Sequence, residues 1–186
     1  MARVEKRAEA EGRTIVWVDE SGFSLLPAKV RTYAPRGQTP ILRVPLTRDH
    51  LSAISALTPQ GRVFLQVQEH SFSSEDVVAF LRQLLRHIPT QLLVIWDGAP
   101  IHRSKVIKDF LASGAARRIQ LERLPGYAPE LNPVDGLWGY LKYRELGNVC
   151  CDNLPRLHAE IKGAYRRFHR KRHLVRSFIR HAGYQV

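Results

Sequence analysis

Three aspartates occupy positions where a carboxylate could take part in catalysis. Asp19 follows an apolar run at residues 14–18, and Asp97 follows a second apolar run at residues 91–96. Asp135 lies in the first turn of a helix that is predicted to begin after a proline-rich loop. Carboxylate oxygens are hard ligands for Mg²⁺, and two such ions about 4 Å apart can drive phosphodiester chemistry. These residue types therefore make a two-metal site one possible interpretation.

Each aspartate also has an ordinary structural explanation. An aspartate after a strand often forms an Asx-turn, which would account for Asp19 or Asp97 taken singly. Asp135 is three residues after Asn132 and could be the acidic member of a capping box. All three acids together, without a lysine or arginine close by in sequence, would repel one another until cations bind. The combination favours metal binding.

Other residues near these segments could also have a functional role. Glu20 should point away from the face of Asp19 by strand alternation, so a surface role is expected. Glu130 is the reserve candidate for the third ligand. His102, just before a predicted helix, is interpreted as structural, and Trp138 as a core anchor rather than a base-stacking platform. Cys150 and Cys151 are adjacent, lack the spacing of the ligands in a zinc site, and are predicted to be reduced.

Hydrophobic patterning predicts an α/β domain that would position the acids. Residues 1–13 are expected to be a connector, and residues 24–46, with four prolines, to form loops. Seven elements are predicted in the rest of residues 14–146. In order they are a strand at 14–18, a hairpin at 50–57 and 62–67, a helix at 73–88, a strand at 91–96, a helix at 104–112, a strand at 119–124 and a helix at 132–146. Such an order predicts a mixed central sheet flanked by helices. A right-handed crossover would make the strands before Asp19 and Asp97 parallel, which places both acids at the same edge.

The positive charge is concentrated near the C-terminus. The chain of 186 residues carries a net charge of +12, of which residues 156–186 contribute +8. Two amphipathic helices are predicted within residues 147–186, a basic helical extension of the domain. We predict low-specificity phosphate contacts from five residues there: Arg166, Arg167, Arg170, Lys171 and Arg172. The alternative interpretation is that these residues only form a solvent-exposed helix face and contact no nucleic acid.

Composition excludes several other classes of protein. The longest uninterrupted apolar run, at residues 92–96, is far short of the ~20 residues that cross a bilayer. The charged N-terminal segment lacks the apolar core of a signal peptide. The two cysteines are adjacent and cannot form a disulfide framework. A soluble, intracellular, globular protein with no membrane partner is expected.

Three segments resemble a known family. They are VWVDESGF (16–23), WDGAPIHRSK (96–105) and LPGYAPELNPVDGLWGYLK (124–142), the last with Tyr127, Pro129, residues 131–133 and Trp138 in order. They resemble the catalytic core of insertion-sequence transposases related to the mariner group, in the DDE superfamily of endonucleases. The resemblance covers residues 14–146 and implies a ribonuclease-H-like fold.

The resemblance also implies a function. Asp19, Asp97 and Asp135 would be the catalytic acids that hold two Mg²⁺ or Mn²⁺ ions for DNA cleavage and strand transfer. The implied partners are element-end and target DNA, a second copy of the chain in a synaptic dimer, and an upstream helix-turn-helix module encoded separately. A bacterial cytoplasmic, nucleoid-associated location would follow. The alternatives are a ribonuclease-H-like nuclease that only hydrolyses, and an inactive or domesticated DNA-binding module.

Two residues depart from the family pattern within the matched segments. The third acid is often glutamate in relatives, whereas Asp135 is one methylene shorter. Gly98 stands where asparagine is frequent beside the second acid, so an auxiliary role at that position is not expected here.

Overall fold

The computed structural model describes residues 2–126 and 128–185. Five strands form one sheet: β1 (Arg13–Ser24), β2 (His50–Leu57), β3 (Val63–Gln68), β4 (Gln91–Trp96) and β5 (Ile119–Arg123). Six α-helices surround it: α1 (Ala2–Ala10), α2 (Ser74–His87), α3 (Lys105–Ala112), α4 (Pro133–Gly139), α5 (Leu154–Phe168) and α6 (Arg172–His181). Among these residues, no helix is long and apolar enough to cross a membrane.

The sheet is mixed, as predicted, with strand order β3-β2-β1-β4-β5. The hairpin of β2 and β3 is antiparallel, and β2 also pairs antiparallel with β1. The ladders that join β1 to β4 and β4 to β5 are parallel. The prediction that the strands before Asp19 and Asp97 run parallel is therefore confirmed.

Strand β1 is longer than the sequence predicts. Its ladder with β4 ends at Trp17 opposite Ile95, but its ladder with β2 continues to Ser24 opposite His50. The turn expected at residues 19–22 is therefore wrong, because β2 supplies hydrogen-bonding partners to this polar segment. Asp19 lies inside a strand, just past the point where β1 loses its β4 neighbour.

Alternation along the strands divides the core into two layers. Ile15 and Trp17 of β1 face α1, α4, α5 and α6, and these form the larger apolar cluster. Val16 and Val18 face the opposite way, against α2 and α3. The side chain of Asp19 thus belongs, by alternation, to the face covered by α4.

The local signals at the helix starts are those that the sequence predicts. Ser73 accepts a hydrogen bond from the amide of Asp76, whose carboxylate in turn accepts from the amide of Ser73, so the capping box is present. Asn132 caps α4 by accepting from the amide of Val134, and Pro133 follows at the first helical position. After Gly139 the helix widens into a π-helix at Tyr140–Glu145.

The N-terminal segment differs from the expected connector. Residues 2–10 form α1, and Ala8 is buried in the larger core cluster. Arg7 is hydrogen-bonded to Glu122 on β5, so α1 is connected to the edge strand of the sheet. The short apolar side chains of α1 gave too weak a periodic signal for this packing to be predicted.

Helices α5 and α6 complete the larger layer. Ile161 and Phe168 of α5 and Val175 and Ile179 of α6 are fully buried there. Helix α6 approaches α4 so closely that a Cβ added to Gly136 would lie 2.7 Å from the Phe178 ring. The basic C-terminal segment is thus packed directly against the helix that carries Asp135.

Candidate active site

A pocket of about 430 Å³ lies at the sheet edge where the β1–β4 ladder ends. Asp19, Asp97 and Asp135 all line it, although they come from β1, from the residue after β4 and from α4. The register explains the first two, since Trp17 is opposite Ile95 and each aspartate is two residues further on. The structure thus brings the three predicted acids together.

Asp19 is the most buried of the three carboxylates. Burial, which is the largest effect, together with the charges of Asp135, Glu20 and Asp97, raises its pKa from an ordinary 3.8 to about 7. A hydrogen bond from Trp138 Nε1 to Asp19 Oδ2, 2.8 Å long, acts in the opposite direction. Ionised carboxylates in this pocket therefore repel one another in the absence of a cation.

Trp138 has a role that the sequence does not reveal. It is a buried core residue, as expected, and its ring packs edge-on against Phe23 with centroids 5.9 Å apart. Its indole nitrogen nevertheless points at Asp19. Its position three residues after Asp135, on the inward face of the same helix, is the only signal that could have suggested this contact.

Asp97 forms the Asx-turn that was considered as its ordinary explanation, and it also lines the pocket. Its Oδ1 accepts a hydrogen bond from the amide of Ala99, 2.9 Å away. The same oxygen lies 2.9 Å from His102 Nδ1. The side chain is 54% exposed, so the turn does not remove the carboxylate from the pocket.

Asp135 is not the capping partner of Asn132. The amide of Asn132 donates to Pro129 O, and its side chain both accepts from Val134 N and donates to Val18 O. The carboxylate of Asp135 is left to line the pocket. Burial raises its pKa above the ordinary value, and the charge of Lys142 opposes that shift.

Lys142 is a nearby cation that sequence reasoning missed. Its Nζ donates to Ser21 Oγ at 2.7 Å, and its pKa is lowered by burial, against the opposing charges of Asp135 and Asp19. Lys142 follows Asp135 by seven residues, two helical turns, so helical periodicity was the available signal. The expectation of an acid cluster without a nearby cation is wrong.

His102 and Glu20 also have contacts that were not expected. Glu20 does point to the opposite face from Asp19, but it is not simply a surface residue, because its Oε1 lies 3.1 Å from His102 Nε2. His102 is buried and stacks on Trp96 with ring centroids 4.2 Å apart. The structural interpretation of His102 omitted its contact with Asp97.

Gly98, next to Asp97, leaves room for an arginine. A Cβ at this position would lie only 2.2 Å from Nε of Arg123, a residue that also lines the pocket. Arg123 ends β5, beside β4 in the parallel ladder, and its side chain is exposed. A cation therefore occupies the space that an asparagine side chain at position 98 would take.

The other competitors lie away from the pocket lining. Glu130 is exposed in a 3₁₀ turn at Pro129–Leu131 and is not among the residues that line the pocket. Cys150 and Cys151 are both free thiols, as predicted. Tyr127, part of the third resembling segment, lies outside the described residues.

The donor set suits a divalent cation in chemistry but does not form a closed ligand shell. Among residues 2–126 and 128–185, no three His, Cys, Asp or Glu side chains are close enough together to hold one ion. Three carboxylates nevertheless share the pocket, and the charges of Asp97 and Asp135 raise the pKa of Asp19. A bound Mg²⁺ or Mn²⁺ ion would stabilise the ionised form of carboxylates that repel one another in this way.

The five basic residues predicted to contact phosphates fall into two groups. Arg167 and Lys171 are ion-paired with Glu145, at 2.7 Å and 3.5 Å, and Lys171 also donates to Tyr140 Oη. Their charge is partly neutralised by these contacts. The others are exposed: Arg166, Arg170 and Arg172.

Comparison with known proteins identifies a family and a fold. The family described as DDE superfamily endonuclease matches residues 14–158. The fold is similar to the crystal structure of the catalytic domain of Mos1 mariner transposase, with a TM-score of 0.57 at 13% identity over 100% of this chain and 91% of that one. This similarity confirms the predicted ribonuclease-H-like fold. A search of the curated proteins found no match.

Longer Mos1 structures are matched over part of their length. A pre-cleavage Mos1 transpososome gives a TM-score of 0.66 at 15% identity, and the Mos1 mariner paired-end complex with Mn gives 0.65 at 16%. In both cases the match covers 100% of this chain and 61% of the other. The chain therefore spans about three fifths of those proteins.

Proposed function

The chain belongs to the DDE superfamily endonucleases, and from that premise we propose that it is the catalytic part of a transposase that cleaves and joins DNA. One observation carries the proposal. Three carboxylates from separate parts of the sequence line one pocket at the end of the parallel β1–β4 ladder. Open α/β sheets place their reactive sites at such an edge.

Asp19, Asp97 and Asp135 would hold the metal in this proposal. Two bound Mg²⁺ or Mn²⁺ ions would activate the attacking oxygen and stabilise the leaving 3′-oxygen. In cleavage, water attacks the phosphorus and the P–O3′ bond breaks, leaving a 3′-hydroxyl and a 5′-phosphate. In joining, that 3′-hydroxyl attacks a target phosphodiester, forms a new P–O3′ bond and releases the target's own 3′-oxygen.

The surrounding residues prepare two of the acids for binding a cation. Trp138 donates to Oδ2 of Asp19, and the amide of Ala99 donates to Oδ1 of Asp97, so in each carboxylate one oxygen is held and the other remains for a ligand. Divalent ions bind the ionised carboxylate, so their binding would release the proton that the pKa of about 7 keeps on Asp19.

Arg123 is the cation placed to meet the substrate in this proposal. Arg123 lines the same pocket as the three acids, and its guanidinium group lies against Gly98. Guanidinium groups bind phosphate oxygens bidentately, which would hold the scissile phosphate beside the carboxylates.

DNA and a second copy of this chain are the proposed partners. The net charge of +12 supports binding to a polyanion, and the family acts on nucleic acid. The similar Mos1 structures include a paired-end complex, which supports a dimer that holds two DNA ends. Such a substrate would place the protein with the bacterial nucleoid in the cytoplasm.

The DNA contacts are proposed for the exposed arginines of the C-terminal segment. Arg166 and Arg170 are exposed, whereas Arg167 is already ion-paired. Replacing Arg166 and Arg170 with alanine should reduce the salt dependence of DNA binding by about 0.9 in the log–log slope for each phosphate that is no longer neutralised. The control is Arg86→Ala, which replaces an exposed arginine on α2, on the other face of the sheet. An equal slope in all variants would mean that Arg166 and Arg170 are solvent-exposed residues that do not contact DNA.

The catalytic proposal is tested with labelled DNA. The purified chain is incubated with Mg²⁺ or Mn²⁺ and fluorescent duplexes copied from the DNA that flanks its own coding sequence, with a plasmid as target. We expect strand cleavage and joined products from the wild type, and neither from Asp97→Asn. Asp109→Asn, an exposed aspartate on α3, should retain activity.

The outcomes separate the alternatives. Cleavage without joined products would indicate a nuclease that only hydrolyses. Equal cleavage by Asp97→Asn and wild type would contradict the assigned acids. DNA binding with neither cleavage nor Mn²⁺ binding would indicate a DNA-binding module without catalysis.

A further inference from the structure

A second pocket, of about 370 Å³, lies along β3, the edge strand on the opposite side of the sheet from β5. Its lining comes from the β2–β3 hairpin, from the C-terminal ends of α2 and α5, and from the first residue of α6. Among the residues that the structure describes, it shares none with the pocket of the three aspartates. The proposed catalysis therefore does not account for it.

The lining of this pocket is basic and contains no carboxylate among its described residues. Two arginines and two histidines belong to it: Arg62, Arg172, His87 and His169. Both arginines are exposed, and within residues 2–126 and 128–185 neither is ion-paired, whereas Arg167 has Glu145 at 2.7 Å. Like charges that share a pocket repel one another, and a bound anion would remove that repulsion.

Arg62 is held in place by two neighbours. Its Cζ lies 5.0 Å from the centroid of the Phe64 ring, and its Nη1 donates a hydrogen bond of 3.0 Å to the carbonyl oxygen of His87 at the end of α2. A guanidinium group has five N–H donors, so this one bond leaves most of them available. A side chain that is already held loses less conformational freedom when it binds an anion.

Gly61 allows Arg172 to reach the same pocket. Gly61 has a φ of 78°, in the left-handed region that favours glycine. A Cβ added to it would lie 2.9 Å from Arg172 Cβ and 3.1 Å from the carbonyl oxygen of Arg172. Any larger residue would thus push the start of α6 away from the hairpin. The glycine therefore permits the approach that places two arginines distant in sequence in one pocket.

We propose that Arg62 and Arg172 together bind a phosphodiester group of DNA, at a site separate from the catalytic pocket. Guanidinium groups suit this ligand because they stay charged and bind phosphate oxygens bidentately. The choice of DNA as the source of the phosphate rests on the proposed function. It is supported by Arg166 and Arg170, each of which follows a lining residue of this pocket in sequence, so the pocket adjoins the arginines already proposed to contact DNA.

The first test is the salt dependence of duplex binding by the full chain, measured by fluorescence anisotropy in EDTA so that no cleavage occurs. We expect the double variant Arg62→Ala/Arg172→Ala to bind the duplex about tenfold more weakly than wild type. The slope of log affinity against log salt should fall by about 0.9, the value for one phosphate. Neither single variant should lower the slope by more than the double variant does, because both arginines bind the same phosphate.

Two controls separate this site from the overall charge of the chain. Arg3→Ala/Arg117→Ala removes the same charge from exposed positions on α1 and just before β5, near the opposite edge of the sheet, and should leave the slope unchanged. Arg62→Lys/Arg172→Lys keeps both charges without the planar guanidinium groups, so it should keep the slope and bind more weakly. Thermal unfolding of each variant verifies that it is folded.

The second test uses the wild-type chain, so it does not depend on the folding of any variant. In side-chain NMR, addition of the duplex should shift the Nε resonances of Arg62 and Arg172. Inorganic phosphate should shift the same two resonances at higher concentrations than the duplex requires, because it lacks the further contacts that a duplex makes with the neighbouring arginines.

The results separate this proposal from the proposed function. A double alanine variant that matches the Arg3/Arg117 control in affinity and slope overturns the site, and so does a bound duplex that shifts neither arginine resonance. A fall in slope of about 1.8 would indicate two separate phosphates and overturn the shared site. Tighter binding of inorganic phosphate than of the duplex overturns DNA as the ligand. All these outcomes leave the proposed catalysis intact if the wild type cleaves DNA, whereas a wild type that neither binds nor cleaves DNA contradicts both proposals.

Discussion

Replacing Asp19 with asparagine should stabilise the metal-free chain, by an amount that grows with pH. The pKa of Asp19 is about 7 in the folded chain against an ordinary value of 3.8, chiefly because of burial. The folded state therefore binds one more proton than the unfolded state between those pH values. Its free energy of unfolding must fall as the pH rises through that interval, and asparagine has no such proton to lose.

The magnitude follows from the two pKa values. Each pH unit between them changes the free energy of unfolding by about 1.4 kcal/mol. The advantage of Asp19→Asn should be near zero at pH 3.8, about 2 kcal/mol at pH 5 and at most about 4 kcal/mol above pH 7. Asparagine can still accept the hydrogen bond from Trp138, so that contact does not confound the comparison.

Urea unfolding in the presence of EDTA measures this difference at acidic, intermediate and neutral pH. Asp49→Asn, an exposed aspartate before β2, is the matched control. Adding Mn²⁺ at neutral pH should reduce the advantage of Asp19→Asn over wild type. At 100 times its dissociation constant, a ligand stabilises the folded state by about 2.7 kcal/mol, and it should do so for wild type only.

A result in which the stability difference between Asp19→Asn and wild type is the same at all pH values would refute the reasoning. It would mean that the carboxylate ionises as freely in the pocket as in the unfolded chain. The pocket would then not be a set of carboxylates that repel one another until a cation binds.

Two further substitutions test neighbours of these acids. Trp138→Phe removes the hydrogen bond that lowers the pKa of Asp19. NMR titration should therefore place that pKa higher than in wild type, and Mn²⁺ should bind more weakly at neutral pH. An unchanged pKa of Asp19 would exclude this role for the indole. Gly98→Asn should displace the guanidinium group of Arg123 and weaken DNA binding as much as Arg123→Ala does. In anisotropy measurements the double variant should be no weaker than either single one, and additive losses would contradict the shared cause.

Most of the fold could be predicted from local patterns. The periodicity of apolar residues located α2, α5 and α6, and the capping residues Ser73 and Asn132 located two helix starts. The β-rich run before Asp97 corresponds to β4, Gln91–Trp96. These features depend on residues within a few positions of one another, so the sequence expresses them directly.

The errors occur where distant pairing decides the structure. The polar residues 19–22 have the composition of a turn, yet they continue β1 because β2 lies beside them. The N-terminal helix α1 is short, and only the burial of Ala8 against the sheet shows that it belongs to the core. Composition cannot reveal a partner that is supplied from elsewhere in the chain.

For the candidate site, the sequence determined the identity of three acids and the edge of the sheet at which they meet. The tertiary structure decided what surrounds them. Trp138 donates to Asp19, His102 contacts Asp97, and Lys142 lies near both Asp135 and Asp19. The pKa of Asp19 depends on burial and on charges brought close by folding, and both are properties of the packed chain rather than of any segment of its sequence.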